Sequence, residues 1–346
     1  MSTKTEVGIT LNKHTEFNWQ IALVILLVIT IGVFLSIHAK KRPRVYRVGI
    51  ISGAEPFVNI ADGFKTKMTG LGYLEGKNII YDFKKMDGNP AEIEQVLNKF
   101  VADKLDLIFA FPSEPAVAAK AATRGTNIPV VFAMAGIDGN NLVESVRHPG
   151  GNITGVRFPG LESTVKRFEF LVEIVPRAKR IYLVYDKNYP NTATALAGLR
   201  PMAKTKGITL VEDPVTNLEE FRTAVRKRAE ANPIGIDAIL LMPDILNNLP
   251  EGFGTILEFA NKHKIPIGGG MGLTADMGAM FSFVPDNIDQ GMLAASLADK
   301  IFKGTPAGSI PVVTPESHLR LNYKVIQKLG LTATEGLLGM ADEIIR

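Results

Sequence analysis

The sequence predicts an α/β protein built from two doubly wound parallel-sheet lobes, preceded by a single N-terminal transmembrane helix. Three observations carry this reading. Short Val/Ile-rich runs alternate with helical patterns along most of the chain, and the alternation restarts midway, after "GGNITGV". In front of both series, the stretch from Trp19 to Ile37 holds no charged side chain.

That N-terminal stretch is interrupted only by Gln20, Thr30 and Ser36. At about 1.5 Å of rise per residue, a helix of this length nearly crosses a hydrocarbon core of about 30 Å. Trp19 stands where an interfacial aromatic anchor belongs, and Lys40, Lys41, Arg42 and Arg44 mark the other boundary. A core helix of a soluble domain would be polar on one face. A cleaved signal needs a basic start and a small-x-small site, whereas Lys4 and Lys13 are balanced by Glu6 and Glu16, and Ile37-His38-Ala39 fits poorly. With no cysteine, the chain carries neither a lipid-modified Cys nor a disulfide. The expected plan is a tail over 1–18, an uncleaved anchor over 19–37 and a basic linker over 38–45. The positive charges behind the anchor favour a cytoplasmic C-terminal side, a rule that weakens when a long domain follows.

The net charge of +4 belongs to this N-terminal region. Residues 1–47 hold seven Lys/Arg and two Glu, leaving 32 basic against 33 acidic residues in the rest. A basic stripe for nucleic acid is thereby excluded.

Beyond the anchor, "YRVGIIS", "NIIYDFK", "LDLIFAF" and "IPVVFAM" read as strands, with helices near 59–71, 90–103 and 114–124 between them. The second series reads "RIYLVYD", "ITLVEDPV", "DAILLMPD" and "IPIGGG", with helices near 162–175, 192–206, 217–231 and 252–263. Continuous apolar strands joined by crossover helices form parallel sheets covered on both faces. "AMFSFVPD", a helix over 286–303 and "IPVVTPE" are too short for a third lobe and are expected to recross between the first two.

Ligands of open parallel sheets lie beyond the C-terminal strand ends. Here those ends read Ser52-Gly53-Ala54-Glu55-Pro56, Phe111-Pro112-Ser113-Glu114-Pro115, Ala133-Met134-Ala135-Gly136, Asp186-Lys187-Asn188-Tyr189, Pro243-Asp244 and Gly268-Gly269-Gly270. Small and polar residues at helix starts leave backbone N–H groups free for an anion such as a carboxylate. Ordinary capping by Ser113, Asn191 and Asn217 is the competing explanation for each one taken singly.

Other chemistry finds little support. "GLGYLEGKN" lacks the first glycine and the Ser/Thr of a phosphate-binding loop and reads better as a helix C-cap at Gly72 leading into a strand. "GMGLTA" follows a strand but leaves no room for the helix of a dinucleotide site. The five histidines, His14, His38, His148, His263 and His318, have no metal-ligand spacing. A G-x-S-x-G elbow and a thiol nucleophile are both absent. Neither a cofactor nor an enzymatic activity is expected.

The order of segments resembles the extracytoplasmic substrate-binding proteins of ABC transporters, in the branch that includes binders of tryptophan and tyrosine. The matching stretches are "GLGYLEGKNI", "DLIFAFPSEPAVAAKAAT", "IPVVFAMAGID", "LVESVRHPGGNITGV", "DNIDQGMLAASLADKIFKGTPAGSIPV" and the tail "HLRLNYKVIQKLGL". The resemblance implies a periplasmic binding protein type I-like fold, two lobes joined by three crossings that close like a hinge. By position it implies lobe 1 over 46–156 plus 284–311 and lobe 2 over 157–283 plus 312–346. It puts ligand contacts at Ser113 and Glu114, Ala133 and Met134, Asp186 with Asn188, and Asp244. Ser113 is expected to hold a carboxylate, Asp186 or Asp244 an amine, and Phe57, Phe111, Phe132 and Tyr189 an apolar side chain. Ser52, Glu55, Gly269 and Gly270 complete the expected site from the remaining strand ends. Glu114 is acidic where a neutral polar residue is usual.

The resulting expectation is a membrane-anchored receptor that captures a small, amino-acid-like solute for an ABC permease and its ATPase. The alternative is an anchored sensor signalling to a separate partner, since this chain carries no kinase or cyclase segment. A hydrolase or isomerase on the same fold lacks an acid–base pair.

Overall fold

The computed structural model describes residues 23–30, 44–86, 89–189, 191–270 and 272–346. Residues 23–30 form a helix, α1, whose side chains are all exposed. The rest of the expected span 19–37 lies outside the described residues. Among the described residues, no helix is long and apolar enough to cross a membrane. Val45–Arg346 forms one compact unit.

The first half of that unit alternates β1 (Tyr46–Ser52), α2 (Asn59–Gly70), β2 (Ile79–Lys85), α3 (Pro90–Ala102), β3 (Leu107–Phe111), α4 (Ser113–Ala122), β4 (Val130–Ala135) and β5 (Ile153–Arg157). The strands make one parallel sheet in the order β2-β1-β3-β4-β5. Every residue of β3 and β4 is buried, as apolar runs covered on both faces require. The period of two sends Phe109, Phe111, Val131 and Ala133 to one core and Ile108, Ala110, Val130 and Phe132 to the other. Gly72, at φ +93°, ends α2: its N–H donates to Thr69 O, and that of Tyr73 to Met68 O. "GLGYLEGKN" is therefore a helix stop followed by a return into β2.

The second half runs α5 (Gly160–Ile174), β6 (Arg180–Asp186), α6 (Thr192–Thr205), β7 (Thr209–Val215), α7 (Leu218–Glu230), β8 (Ala238–Leu240), α8 (Ile245–Asn248), α9 (Pro250–His263) and β9 (Ile267–Gly268). Its parallel sheet has the order β7-β6-β8-β9. Again two cores form, one on each face.

The remaining elements are α10 (Thr274–Met277), β10 (Phe281–Val284), α11 (Asn287–Phe302), β11 (His318–Asn322), α12 (Tyr323–Lys328), α13 (Glu335–Met340) and β12 (Glu343–Ile345). α11 returns to the first half and lies against α2 with backbones nearly touching. A Cβ on Gly63 would fall 2.1 Å from Ile288 O, and one on Gly291 2.0 Å from Ile60 O. Pairing with β5 then persists to Val313, past Pro311: Arg157 N donates to Val313 O and Val313 N to Gly155 O. Only afterwards does the chain enter β11.

A third sheet, β10-β11-β12, is the main departure from the sequence expectation. β10 and β11 are antiparallel, β11 and β12 parallel. The strand "HLRLN" has a short two-sided pattern with charges on its outer face, which is why apolar runs do not reveal it. Leu319 and Leu321 point into the core of the second half, while Arg320 points out and pairs with Asp276 at 2.7 Å and Glu343 at 2.7 Å.

Candidate functional site

The segments that follow β3 and β4 meet those that follow β6 and β8. Ser113 opens α4, where Pro112, not Ser113, holds the N-cap position. Its wholly buried Oγ accepts from Gly136 N at 3.1 Å and lies in hydrogen-bonding reach of the Tyr189 hydroxyl across the divide. Gly136 faces Asn191, the N-cap residue of α6. A Cβ at 136 would lie 1.7 Å from Asn191 Oδ1, so only a glycine lets the halves approach this closely. Met134 sits beside these residues at a β-bulge, with φ +53°, its sulfur accepting from Gln290 Nε2 at 3.2 Å.

Three carboxylates surround Tyr189. Burial pushes the Tyr189 phenol well above its ordinary range, and the charges of Glu114, Asp244 and Asp186 add to the effect. Asp244 is pushed up to about 7 by burial, with Asp186 adding to the rise and hydrogen bonds from Asn247 opposing it. Its two oxygens accept from Asn247 N at 3.0 Å and Asn247 Nδ2 at 2.8 Å, so Asp244 is also the cap of α8. Glu114 and Asp186 are raised as well, chiefly by burial, and Asp186 accepts from Asn188 N at 2.9 Å. Glu114 itself is exposed at the start of α4, next to wholly buried Ser113. Among the described residues, no cationic side chain offsets these acids. The cluster of acids is therefore electrostatically suited to a positive group.

The structure thus brings Ser113, Glu114, Met134, Asp186, Tyr189 and Asp244 together, with Ala133 buried directly behind Met134. Asn188 is exposed at the rim. The other expected contacts have different surroundings. Phe132 lies in the core shared with α3, packed on Gly155, because the strand period turns it to the sheet face opposite Val131 and Ala133. Phe111 belongs to the opposite core. Ser52 donates to Ala54 O at 3.1 Å and holds its own turn. Gly269 packs on the Arg167 side chain and Gly270 on Thr274.

Glu55 and Phe57 instead border a wide cleft of about 1050 Å³. Asn59, Pro250, Leu273, Asp286 and Arg320 also line it. Sequence reasoning missed this cleft because β11 and β12, which form part of its wall, were not recognisable as strands. It also missed Gln290, and it quoted Gly136 and Asn191 without foreseeing that they meet. Gln290 lies in the first turn of α11, just after β10 leads into a crossing, the one signal that could have found it. Among the described residues, no group of three or more His, Cys, Asp or Glu is arranged to hold a metal.

The fold has known counterparts. The family model for ABC transporter substrate binding proteins matches residues 48–345. A tyrosine-binding protein of Clostridioides difficile is 28% identical over 274 residues, covering 78% of this chain and 76% of its own. The structure of an ABC domain from Streptococcus pneumoniae in complex with L-Trp is similar, with a TM-score of 0.78 at 24% identity, covering 87% of this chain and 100% of that one. A ligand-free, open substrate-binding protein with adhesive properties from Clostridium difficile gives 0.67 at 24% identity, covering 86% and 99%. Since the match runs through both sheets and every segment that joins them, the chain belongs to the ABC transporter substrate-binding proteins, a family of solute binders rather than enzymes.

Proposed function

We propose that the chain is the membrane-anchored, extracytoplasmic receptor of an ABC importer and captures an amino-acid-like solute between its two lobes. The observation that carries this reading is the set of acids from both halves, Glu114 from one and Asp186 and Asp244 from the other, gathered around buried Tyr189. Their charges favour an amine-bearing solute. The tyrosine-binding relative and the L-Trp complex support the same class.

The mechanism is a population shift. The open form offers each half of the site alone. A solute that touches both halves stabilises the closed form, which the permease and its ATPase recognise. The hinge is placed at the crossings near residues 157, 284 and 314, between lobes over 46–156 plus 284–311 and 157–283 plus 312–346. Trp19–Ile37 holds the receptor to the membrane. Support for this comes from α1, whose Leu23, Val24, Ile25, Leu26, Leu27, Val28 and Ile29 are each more than half exposed, a surface suited to lipid.

Thermal-shift screening of the purified full chain against amino acids, their amines, peptides and sugars tests the reading, because a ligand of the folded state raises the melting temperature by mass action. An amino acid that raises it, together with compaction in X-ray scattering, is the expected outcome. Melting unchanged by every compound removes the receptor reading.

A further inference from the structure

The acids around Tyr189 account for a positive group on a solute. A second set of buried polar groups has no role in that scheme. Arg167, on α5, is wholly buried, with the largest fully buried side chain among the described residues. Its Nε donates to Phe283 O at 2.8 Å, but neither terminal nitrogen meets an acceptor. Loss of solvent alone acts on its charge, lowering the guanidinium to about 10, and among the described residues no carboxylate offsets it. A buried ion without a counter-charge is among the costliest things a fold can keep. An arginine that served packing alone would cost less as methionine or leucine.

Its position gives the reason. Arg167 lies two turns into α5, the first helix after β5 crosses between the halves. Phe283 belongs to β10, which leads into the second crossing, and Gly269 follows β9 at the ligand-facing end of its sheet. Gly269 has φ +65°, and a Cβ there would fall 2.8 Å from the Arg167 side-chain carbons, so a larger residue would displace the guanidinium. Two further buried groups without a partner lie on the same elements, Ser163 Oγ one turn earlier on α5 and Ser282 Oγ beside Phe283, and a third, Gln290 Oε1, lies on α11, whose amide nitrogen is already given to Met134. Buried polar atoms are nearly always paired, so a wholly buried guanidinium with both terminal nitrogens unpaired calls for a partner from outside the chain.

We propose that Arg167 is the anion-binding group of the solute site and that its terminal nitrogens hold a carboxylate of the solute in a two-pronged pair. The guanidinium fork matches the spacing of two carboxylate oxygens, and in a water-excluded site this bond outweighs a lone ammonium contact. The inference rests on the receptor reading above and sharpens it. The solute must carry an acid as well as an amine, which excludes simple amines, neutral sugars and nucleosides.

The test is calorimetric titration of the full chain with matched probes: L-tryptophan and L-tyrosine, their decarboxylated forms tryptamine and tyramine, and the amine-free acids indole-3-propionate and 3-(4-hydroxyphenyl)propionate. An amino acid is expected to bind at least 100-fold more tightly than the amine made by removing its carboxylate. Arg167→Met should erase that preference while melting no lower than the wild type, since it removes an uncompensated buried charge, and Arg167→Lys should retain part of it. Equal binding of an amino acid and its amine by the wild type, a comparison that needs no variant, overturns the role of Arg167 and leaves the receptor reading standing. Undiminished preference in Arg167→Met does the same. Binding of none of the six probes overturns the carboxylate assignment, and only the wider solute panel then decides the receptor reading.

Discussion

Asp244 is placed to make the stability of the solute-free protein depend on pH. Burial pushes its carboxyl from an ordinary value of 3.8 to about 7. The folded chain therefore holds a proton that the unfolded chain releases near pH 4, so the native state binds more protons between these values and stability falls as pH rises. The contribution is intact below about pH 4, is lost across the window from about 4 to about 7, and stays lost above it. A window about three pH units wide corresponds to roughly 4 kcal/mol for one proton. At roughly 2–4 °C per kcal/mol, the melting temperature should drop by on the order of 10 °C across that window. Asp244→Asn removes the titration. The new amide can still accept from Asn247 N but cannot accept from Asn247 Nδ2, a loss of about 1 kcal/mol at every pH. Scanning calorimetry without solute, from about pH 4.5 to about 7.5, should show a steep decline for wild type and a shallower one for Asp244→Asn. Glu114 and Asp186 are raised too, so both profiles decline and the difference between them isolates Asp244. Parallel profiles would refute the reasoning, because they would mean Asp244 does not change its protonation in that range.

Other perturbations have equally definite outcomes. Gly136→Ala drives a Cβ into Asn191 and should hold the halves apart, weakening solute affinity about tenfold in calorimetric titration with little change in melting temperature. Adding Asn191→Ala should restore affinity, and a double variant as weak as the single one refutes the clash. Gly63→Ala meets a backbone carbonyl that cannot move alone, so chemical denaturation should report a loss of about 3 kcal/mol. Ser113→Ala leaves Gly136 N without its acceptor and should weaken solute binding by about 1–3 kcal/mol by titration calorimetry; unchanged affinity removes Ser113 from the site.

Most of the fold was legible because its signals are local. β1 coincides with "YRVGIIS", and α3, α6 and α11 fall within a residue or so of their expected limits, since buried parallel strands and amphipathic crossover helices each write a clear period. β11 and β12 were not legible: one is five residues with a histidine and an arginine, the other three residues, and both depend on partners distant in sequence. The site divided in the same way. Ser113, Glu114, Asp186 and Asp244 follow strands, and topology alone places such residues at the ligand edge. Phe132 failed because its side is set by strand register, which its aromatic character does not reveal. Arg167 and Gln290 occupy turns of helices that read as amphipathic, and a polar residue there looks like part of the wet face until the chain returns to cover it.

That return has a consequence for the order in which the protein can be made. The core under β1 and α2 includes Ala294, Ala295, Leu297 and Ala298 of α11, residues separated from it by the entire second half of the chain. Until they arrive, Ile60, Phe64 and Met68 have no cover on that side, and the first half cannot complete itself as it leaves the ribosome. A chain stopped short of Asn287 would present a greasy furrow to the cell instead of a finished half. Synthesis from the N-terminus thus keeps the molecule open until nearly all of it exists, an order of events that suits a polypeptide threaded through a membrane before it folds.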